Sequence, residues 1–198
     1  KTAYAISLGL VGSEMCIRDR SRIRGTLLMA VSNKKGQMLL TTGNKSEVSV
    51  GYSTLYGDMN GGFNPIKDIY KTEVYELAKW RNTNIPNNVY GKNKDIIPIE
   101  IITKEPTAEL RENQKDSDSL PSYEELDKIL EGLVEYELST KELEEKGFAL
   151  ESIKKVENLL YISEYKRRQS APGVKISLRN FGRDRRYPIT NKFRDKSD

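Results

Sequence analysis

Apolar residues recur at helical spacing in the second half of the chain. Ser122-Tyr-Glu-Glu125 has the form of a capping box, a signature of a helix N-terminus. The apolar residues that follow lie three and four positions apart, namely Leu126, Ile129, Leu130, Leu133 and Val134. A second box begins at Ser139, and a third pattern covers Leu150–Arg168, with Ile153, Val156 and Leu160 facing inward. The pattern therefore predicts three successive helices.

The first half of the chain combines helical patterns with a short apolar run. Helical spacing over Ser21–Lys34 precedes the run Met38–Thr42, which predicts a buried strand. A short helix over Asn44–Thr54 and a glycine-rich loop over 56–65 follow. Asp68 is a suitable N-cap for a helix to about Trp80, with inward positions at Val74, Leu77 and Ala78. We expect the strand to end at a ligand site, as strands in α/β proteins do.

Composition limits the chemistry that the chain can perform. Its 198 residues suit one domain or part of a larger one, and they include no histidine and one cysteine, Cys16. These counts exclude a Ser-His-Asp triad, a Cys-His pair and a zinc site of cysteine and histidine within the chain. They also favour a reducing compartment, since no disulfide can form within one chain, and we expect a cytoplasmic protein. No apolar run approaches the ~20 residues of a membrane span.

Charge is divided unevenly along the chain. Glu100–Glu151 holds 16 acidic and 6 basic residues, a net charge of −10, whereas Lys166–Asp198 holds 11 basic and 3 acidic residues, a net charge of +8. An acidic solvated helical region followed by a basic tail, residues 170–198, explains this division in structural terms. The functional alternative is a tail that meets phosphate, in a nucleotide or in nucleic acid.

The first twenty residues differ in character from the rest. An apolar octet over Ala5–Gly12 follows Lys1 and runs into charged residues, which makes a poor signal peptide. The stretch SLGLVGSEMCIRDR, residues 7–20, resembles translated sequencing-adapter read-through. We therefore expect residues 1–20 to be a mostly non-native leader, and the true domain to start near Ser21 with its beginning lost.

Several polar residues near the predicted strand end are candidates for ligand binding. Lys67 and Lys71 flank the predicted start of a helix, where bound phosphate would make a cation favourable. Glu47 could hold Mg²⁺ beside a triphosphate, and Asp58 could bind a ribose hydroxyl. Solvated lysines, a surface glutamate and a capping aspartate are the structural alternatives. From these residues alone, both interpretations stay open.

The basic run at 164–169 offers a second candidate surface. Together with Asn180–Arg186, it interleaves arginines with aromatic residues, a pattern that also fits single-stranded nucleic acid. Favourable pairing of cations with a helix C-terminus is the structural alternative. No recognisable RNA-binding or zinc-finger signature supports the nucleic-acid hypothesis.

The order and spacing of seven segments resemble the C-terminal part of the NAD synthetase family. They are SRIRG (21–25), LLTTGNKSE (39–47), YGDMNGGFNPIKDIYK (56–71), KEPTAEL (104–110), SDSLPSYEELD (117–127), SEYKRRQSAPGVK (163–175) and NFGRDRRYPITNKFRD (180–195). The second and the last are most similar to the bacterial glutamine-hydrolysing branch. The resemblance covers residues 21–198 and implies an α/β fold. This is a partial Rossmann-like adenine nucleotide alpha hydrolase fold, with a parallel sheet flanked by helices and a helical C-terminal region.

The resemblance implies a ligase reaction in two steps. ATP adenylates the nicotinate carboxylate of nicotinic acid adenine dinucleotide (deamido-NAD), and ammonia then attacks the acyl-adenylate to give NAD. In the glutamine-dependent branch, an N-terminal amidase domain supplies the ammonia. Family members are dimeric through this domain, which implies a homo-oligomer. The implied partners are ATP, Mg²⁺ and deamido-NAD, without nucleic acid or membrane.

The resemblance also assigns roles to individual positions. Thr42, Lys71 and Thr107 match ATP-contacting residues, and Lys71 is expected to neutralise charge on the departing pyrophosphate. Positions that match contacts to deamido-NAD are Arg22, Glu47, Asp58, Asn64 and Lys166, and Glu47 also matches a position assigned to Mg²⁺.

The sequence departs from the family pattern in two ways. It contains neither the SGGxDS pyrophosphate loop nor the amidase domain, so we expect a truncated gene product that is inactive alone. Two alternatives to this function remain. One is a basic nucleic-acid-binding module, and the other is a related ATP pyrophosphatase of the GMP synthetase or tRNA-thiolating type.

Overall fold

A computed structural model describes residues 13–88, 91, 94–107, 115–116, 120–190 and 192, with the side chains of 13–17 left out. These residues form eight helices. They are α1 (Ser13–Lys35), α2 (Lys45–Val50), α3 (Lys71–Thr83), α4 (Ile99–Thr103), α5 (Tyr123–Val134), α6 (Thr140–Glu145), α7 (Leu150–Ile162) and α8 (Glu164–Arg167). The segments 108–110 and 117–119 of two family motifs lie outside the described residues.

The apolar core lies between α5, α6 and α7, as the helical spacing predicts. Ser122 and Ser139 cap α5 and α6 by accepting bonds from the amides of Glu125 and Glu142. The inward side chains are fully buried, namely Leu126, Ile129, Leu130, Leu143, Ile153, Val156 and Leu160. Local capping and apolar periodicity are therefore enough to predict the helices of this region.

Extended segments replace the predicted sheet in the described part of the chain. Leu40 forms an isolated parallel bridge with Phe63, and Asn64 forms another with Gly173. The prediction of a buried strand over Met38–Thr42 is wrong, because Leu40 is 52% exposed and its neighbour Met38 is exposed as well. Leu40 has a described bridge partner on one edge only, so the described residues form an isolated bridge here and no continuous strand. The parallel sheet of the expected fold is not confirmed by these residues.

Two predicted helices differ from those observed. The helix expected to begin at Asp68 begins at Lys71, because Asp68 accepts hydrogen bonds from the Ile176 and Ser177 amides instead. Its apolar positions are not buried, and Leu77 is 48% exposed. The helix predicted over Leu150–Arg168 is interrupted at Ser163. There the Leu160 carbonyl, which would accept from residue 164 in a continuous helix, accepts from the Arg167 guanidinium.

The first helix is longer than predicted and faces solvent. Its apolar residues, which the spacing places on one face, are exposed, namely Ile23, Leu27, Leu28 and Val31. Helix α1 has 23 residues and a polar average composition. Within the described residues, no helix combines the length and the apolar character that crossing a bilayer requires.

Residues 171–190, which we call the C-terminal arm, run back across the molecule. The backbone amide of Asn64 donates to the Pro172 carbonyl at 2.8 Å. The side chain of Asp68 accepts hydrogen bonds from the Ile176 and Ser177 amides. Further along, the buried ring of Tyr187 meets the Tyr161 ring edge-on at 4.8 Å between centroids. The basic tail therefore packs on the helical core as far as Tyr187, although it has no regular secondary structure.

Candidate functional site

A cavity of about 660 Å³ lies among α1, the segment 39–43, α2 and the loop 51–60. Six of the eight residues predicted to bind ligands line it, namely Thr42, Glu47, Asp58, Lys71, Thr107 and Lys166. They come from segments that are up to 124 positions apart, so the fold brings them together. The volume falls within the range typical of small-molecule and cofactor sites.

Helix α2 fixes Glu47 at the wall of the cavity. Asn44 is the N-cap, and its side-chain oxygen accepts from the Glu47 amide at 3.0 Å. In return, Glu47 Oε2 accepts from the Asn44 amide at 3.2 Å, which completes a capping box. The other carboxylate oxygen, Oε1, is left to face Lys71. Helix α2 ends at Gly51, whose φ of 68° is the left-handed conformation that favours glycine.

Lys71 is the first residue of α3, and its ammonium group meets Glu47. Nζ lies 3.1 Å from Glu47 Oε1, and the rings of Tyr123 and Tyr75 lie 5.4 Å and 5.9 Å from it. Burial lowers the pKa of Lys71, but the charge and hydrogen bond of Glu47 outweigh this and raise it above its ordinary value. Lys71 is therefore held as a cation at the cavity wall, one-fifth exposed.

Asp58 holds the loop 51–60 against α1. Its Oδ1 accepts from the Ser21 hydroxyl at 2.9 Å and from the Thr54 amide at 2.8 Å. Helix and loop approach closely here, since a Cβ on Gly25 would come within 2.6 Å of the Gly57 carbonyl oxygen. Asp58 thus fastens the loop 51–60 to α1 in this structure, and it also lines the cavity.

Lys166 lines the cavity near the C-terminal end of α2. Its Nζ donates to the carbonyls of Gly51 at 2.6 Å and Ser53 at 2.7 Å. Burial and the nearby charge of Arg18 lower the pKa of Lys166, against the opposing effect of Asp58. The carbonyls fix the direction in which this cation points.

Asn64 and Arg22 are not among the residues that line this cavity. Asn64 lies beside a smaller adjoining cavity, where its side-chain nitrogen Nδ2 donates to the Gly43 carbonyl at 2.7 Å. Its buried Oδ1 has no hydrogen-bond partner among the described residues. Arg22 instead contacts the Leu55 carbonyl at 3.4 Å and Asp19 at 2.9 Å. The structure therefore places Asn64 at the adjoining cavity, whereas Arg22 lines neither cavity.

Asp116 is a cavity residue that the sequence analysis missed. It is buried, accepts a hydrogen bond from the Tyr123 hydroxyl at 2.7 Å, and has an Oδ1 atom with no partner among the described residues. Asp116 lies in a polar stretch without helical or strand periodicity. The sequence signal near it is the capping box that begins at Ser122, six residues later, and this signal predicts a helix and not a site residue. Its charge is one of those that raise the pKa of Lys71.

The donor set fits a magnesium ion that is carried by phosphate. No cluster of three or more possible metal ligands occurs in the part of the chain that the structure describes. Mg²⁺ is usually bound by one or two carboxylates together with phosphate oxygens and water. Glu47 Oε1 is a half-buried carboxylate oxygen at the cavity wall, so Glu47 suits that mode and a complete protein cage is not needed.

Many cations between residues 164 and 185, together with Lys67, are engaged within the chain. Arg167 and Arg168 pair with Glu164 at 3.0 Å and 2.7 Å. Lys175 pairs with Asp184, and Arg179 and Arg185 pair with Glu137. Lys67 donates to the Ala171 carbonyl at 2.7 Å. These pairs support the structural interpretation of the basic run and weaken the nucleic-acid hypothesis.

Comparison with known proteins gives a consistent family assignment. The family model described as NAD synthase matches residues 17–170. The glutamine-dependent NAD(+) synthetase of Rhodobacter capsulatus is 57% identical over 178 residues, covering 90% of this chain and 32% of that protein. That of Thermotoga maritima is 51% identical over 176 residues, covering 89% and 29%. The chain thus spans about 30% of the length of the curated relatives it matches.

Solved structures agree with this assignment. The glutamine-dependent NAD(+) synthetase of Cytophaga hutchinsonii matches with a TM-score of 0.66 and 25% identity, over 88% of this chain and 28% of that one. The NH3-dependent NAD synthetase of Campylobacter jejuni matches with a TM-score of 0.51 and 28% identity, over 81% and 51%. These neighbours imply the adenine nucleotide alpha hydrolase fold.

Proposed function

The chain belongs to the NAD synthase family, and we propose that it supplies part of the site at which deamido-NAD is amidated to NAD. In this reaction the nicotinate carboxylate attacks the α-phosphate of ATP, which releases pyrophosphate and gives an acyl-adenylate. Ammonia then attacks the acyl carbon, and AMP leaves. The observation that carries the proposal is the Lys71–Glu47 pair at the wall of a nucleotide-sized cavity.

Lys71 is suited to the first step. Its ammonium group is kept protonated by Glu47, and a fixed cation stabilises the negative charge that develops on a departing pyrophosphate. Thr42 and Thr107 lie at the same cavity and offer hydroxyl groups to ATP. No general base is required for the nicotinate carboxylate to attack, because it is already ionised at neutral pH.

Magnesium fits the same proposal through Glu47. A bound Mg²⁺ would supply positive charge that polarises the phosphoryl oxygens of ATP. Glu47 would hold the ion from the protein side, and Lys71 would then be free to contact phosphate. After this exchange, Glu47 would face the charge of Mg²⁺ and Lys71 would face phosphate, so each charged side chain would keep a partner of opposite charge.

The remaining cavity residues are proposed to bind deamido-NAD. Lys166 presents a cation and Asp58 a carboxylate at the same cavity, and the buried Oδ1 of Asn64 is an acceptor without a partner among the described residues, beside the adjoining cavity. Arg22 would need to leave Asp19 in order to reach the dinucleotide. The names of the relatives support glutamine as the source of ammonia. The exposed apolar residues of α1 support a homo-oligomer.

A chimera tests the proposed function directly. Residues 21–198 would replace the matching segment of the Rhodobacter capsulatus synthetase, and NAD formation from ATP, glutamine and deamido-NAD would be measured. We expect Lys71→Ala to lower kcat by about 10²–10³, the typical cost of removing one group that stabilises transition-state charge.

Lys79→Ala is the matched control, because Lys79 is an exposed lysine on the same helix. It should leave kcat unchanged. NAD formation at full rate by the Lys71→Ala chimera, or none by the unmodified chimera, would contradict the proposed function.

A further inference from the structure

The first turn of α3 is capped by residues from two other helices. Lys71 and Thr72 are its first residues, and their amides have no partner within the helix. The Lys71 amide donates to Ser46 Oγ of α2 at 2.8 Å, and the Thr72 amide donates to Asp127 Oδ2 of α5 at 2.9 Å. The helix start is therefore held by side chains that lie 25 and 55 positions away along the chain.

Ser46 and Asp127 are joined to each other and buried. The Ser46 hydroxyl donates to Asp127 Oδ1, and the Thr72 hydroxyl donates to Asp127 Oδ2 at 2.9 Å. Ser46 is fully buried and Asp127 is 5% exposed. Burial raises the pKa of Asp127 despite these three hydrogen bonds. Burying a carboxylate costs free energy, and a neutral residue could fill the same volume without that cost.

The hydrogen bonds that join Ser46, Asp127 and Thr72, which we call the bridge, connect the residues next to the two charges at the cavity wall. Ser46 precedes Glu47, and Thr72 follows Lys71, so the contact 46–127–72 ties together the backbones that carry both charged side chains. Asp127 is not among the residues that line the cavity. Its influence on the site must therefore pass through the helix start and not through contact with ligand.

We propose that Asp127 is a positioning residue, which sets the place of Lys71 relative to Glu47 by capping α3 from α5. This inference rests on the proposed function, because it concerns the same site. Loss of the bridge leaves the Thr72 amide unpaired and lets the first turn of α3 shift. A displacement of about 1 Å at a group that stabilises the transition state can cost about 10²-fold in rate.

The first test measures amide hydrogen exchange in the 198-residue chain. In Asp127→Ala, which removes the acceptor oxygens, exchange at the Lys71 and Thr72 amides should accelerate at least about tenfold, while the later turns of α3 keep their protection. Glu124→Ala, the matched change at an exposed acid on the same helix, should alter neither. Unchanged exchange at both amides in Asp127→Ala would overturn the proposal.

The second test is a double-mutant cycle in the chimera. Asp127→Ala should lower kcat by about 10–10² with a smaller change in KM, and the same change should have no further effect in the Lys71→Ala background. A merely structural role would lower activity equally in both backgrounds, and that result would overturn the proposal. Ser46→Ala gives a second route to the same cycle if Asp127→Ala does not fold.

The two proposals fail in different ways. If the unmodified chimera forms no NAD, the proposed function is wrong, and the hydrogen exchange result then decides whether Asp127 positions Lys71. If the unmodified chimera is active but the cycle is additive, the proposed function stands and the positioning role of Asp127 is wrong.

Discussion

Glu47 serves two purposes at once with its two carboxylate oxygens. Oε2 closes the capping box of α2, and Oε1 pairs with Lys71 at the cavity wall. The first is a local structural task that glutamine performs as well, since either residue suits this position of the box. The second requires a negative charge. These tasks can therefore be separated by a single substitution.

Glu47→Gln should leave the fold intact and weaken the response to magnesium. We expect the free energy of unfolding of the chain to change by less than about 1 kcal/mol, because only a partly exposed ion pair is lost. In the chimera, the Mg²⁺ concentration for half-maximal NAD formation should rise at least about tenfold. Glu47→Ala is the comparison, since it also removes the cap and should cost about 1 kcal/mol more. An unaltered magnesium titration would show that Glu47 does not bind the ion.

Among the helices, similar apolar spacing has different outcomes. Helix α5 buries most of its apolar face between α6 and α7, and Leu130 is 0% exposed. Helix α3 carries Val74, Leu77 and Ala78 at comparable spacing, but none of its residues is buried. Amphipathic spacing predicts which face a helix can bury, but a packing partner decides whether that face is covered.

Two leucine-to-alanine changes measure this difference between helices. Leu130→Ala should lower the free energy of unfolding by about 3–5 kcal/mol, through lost apolar transfer and a residual cavity. Leu77→Ala should cost less than about 1 kcal/mol, because its side chain is already half in water. Urea denaturation of the 198-residue chain checks both. Equal losses would mean that the apolar face of α3 is covered by a partner in solution.

A buried charge cluster connects segments that are far apart along the described chain. Lys45 is 0% exposed, and its ammonium group contacts Asp68, Glu135, Ser177 Oγ and the Arg179 carbonyl. Asp68 in turn accepts from the Ile176 and Ser177 amides, both at 2.8 Å. The cluster joins α2, the loop before α3, the end of α5 and the C-terminal arm. It thus fixes the helix that carries Glu47 to the most distant part of the described chain.

Asp68→Asn should loosen the C-terminal arm in a pH-dependent way. Burial raises the pKa of Asp68, but the Ile176 and Ser177 hydrogen bonds and the Lys45 charge lower it overall below its ordinary 3.8. The ionised group therefore adds stability above pH 3.8, and this is lost as the pH falls through the lower folded-state pKa. At pH 7 we expect the substitution to cost about 3 kcal/mol, and the difference from the unsubstituted chain should shrink below pH 3.8.

Urea denaturation at several pH values checks this expectation. Asp95→Asn, the same chemical change at an exposed loop position, should cost less than about 0.5 kcal/mol at every pH. A loss from Asp68→Asn that is independent of pH would indicate that the charge of Asp68 does not stabilise the fold.

Local patterns were enough for the helices whose determinants are near in sequence. Ser122 and Ser139 cap helices through amides only three residues away, and the apolar spacing after Ser122 defines the core face of α5. The order of the motifs was likewise sufficient for the family, which the comparisons confirm. The site residues drawn from that resemblance remain predictions, although six of them share one cavity.

Tertiary structure decided what depends on distant partners. Asp68 suits an N-cap by its sequence position, yet it binds the Ile176 and Ser177 amides, 108 and 109 residues away, and α3 is capped by Ser46 and Asp127 instead. Buried hydrogen-bonding groups must find partners, and several candidates compete for each carboxylate. A single sequence shows which groups can form hydrogen bonds, but only the folded chain decides which donors reach each acceptor. For that reason the sequence determined the helices and the family, and the fold determined how the cavity is built.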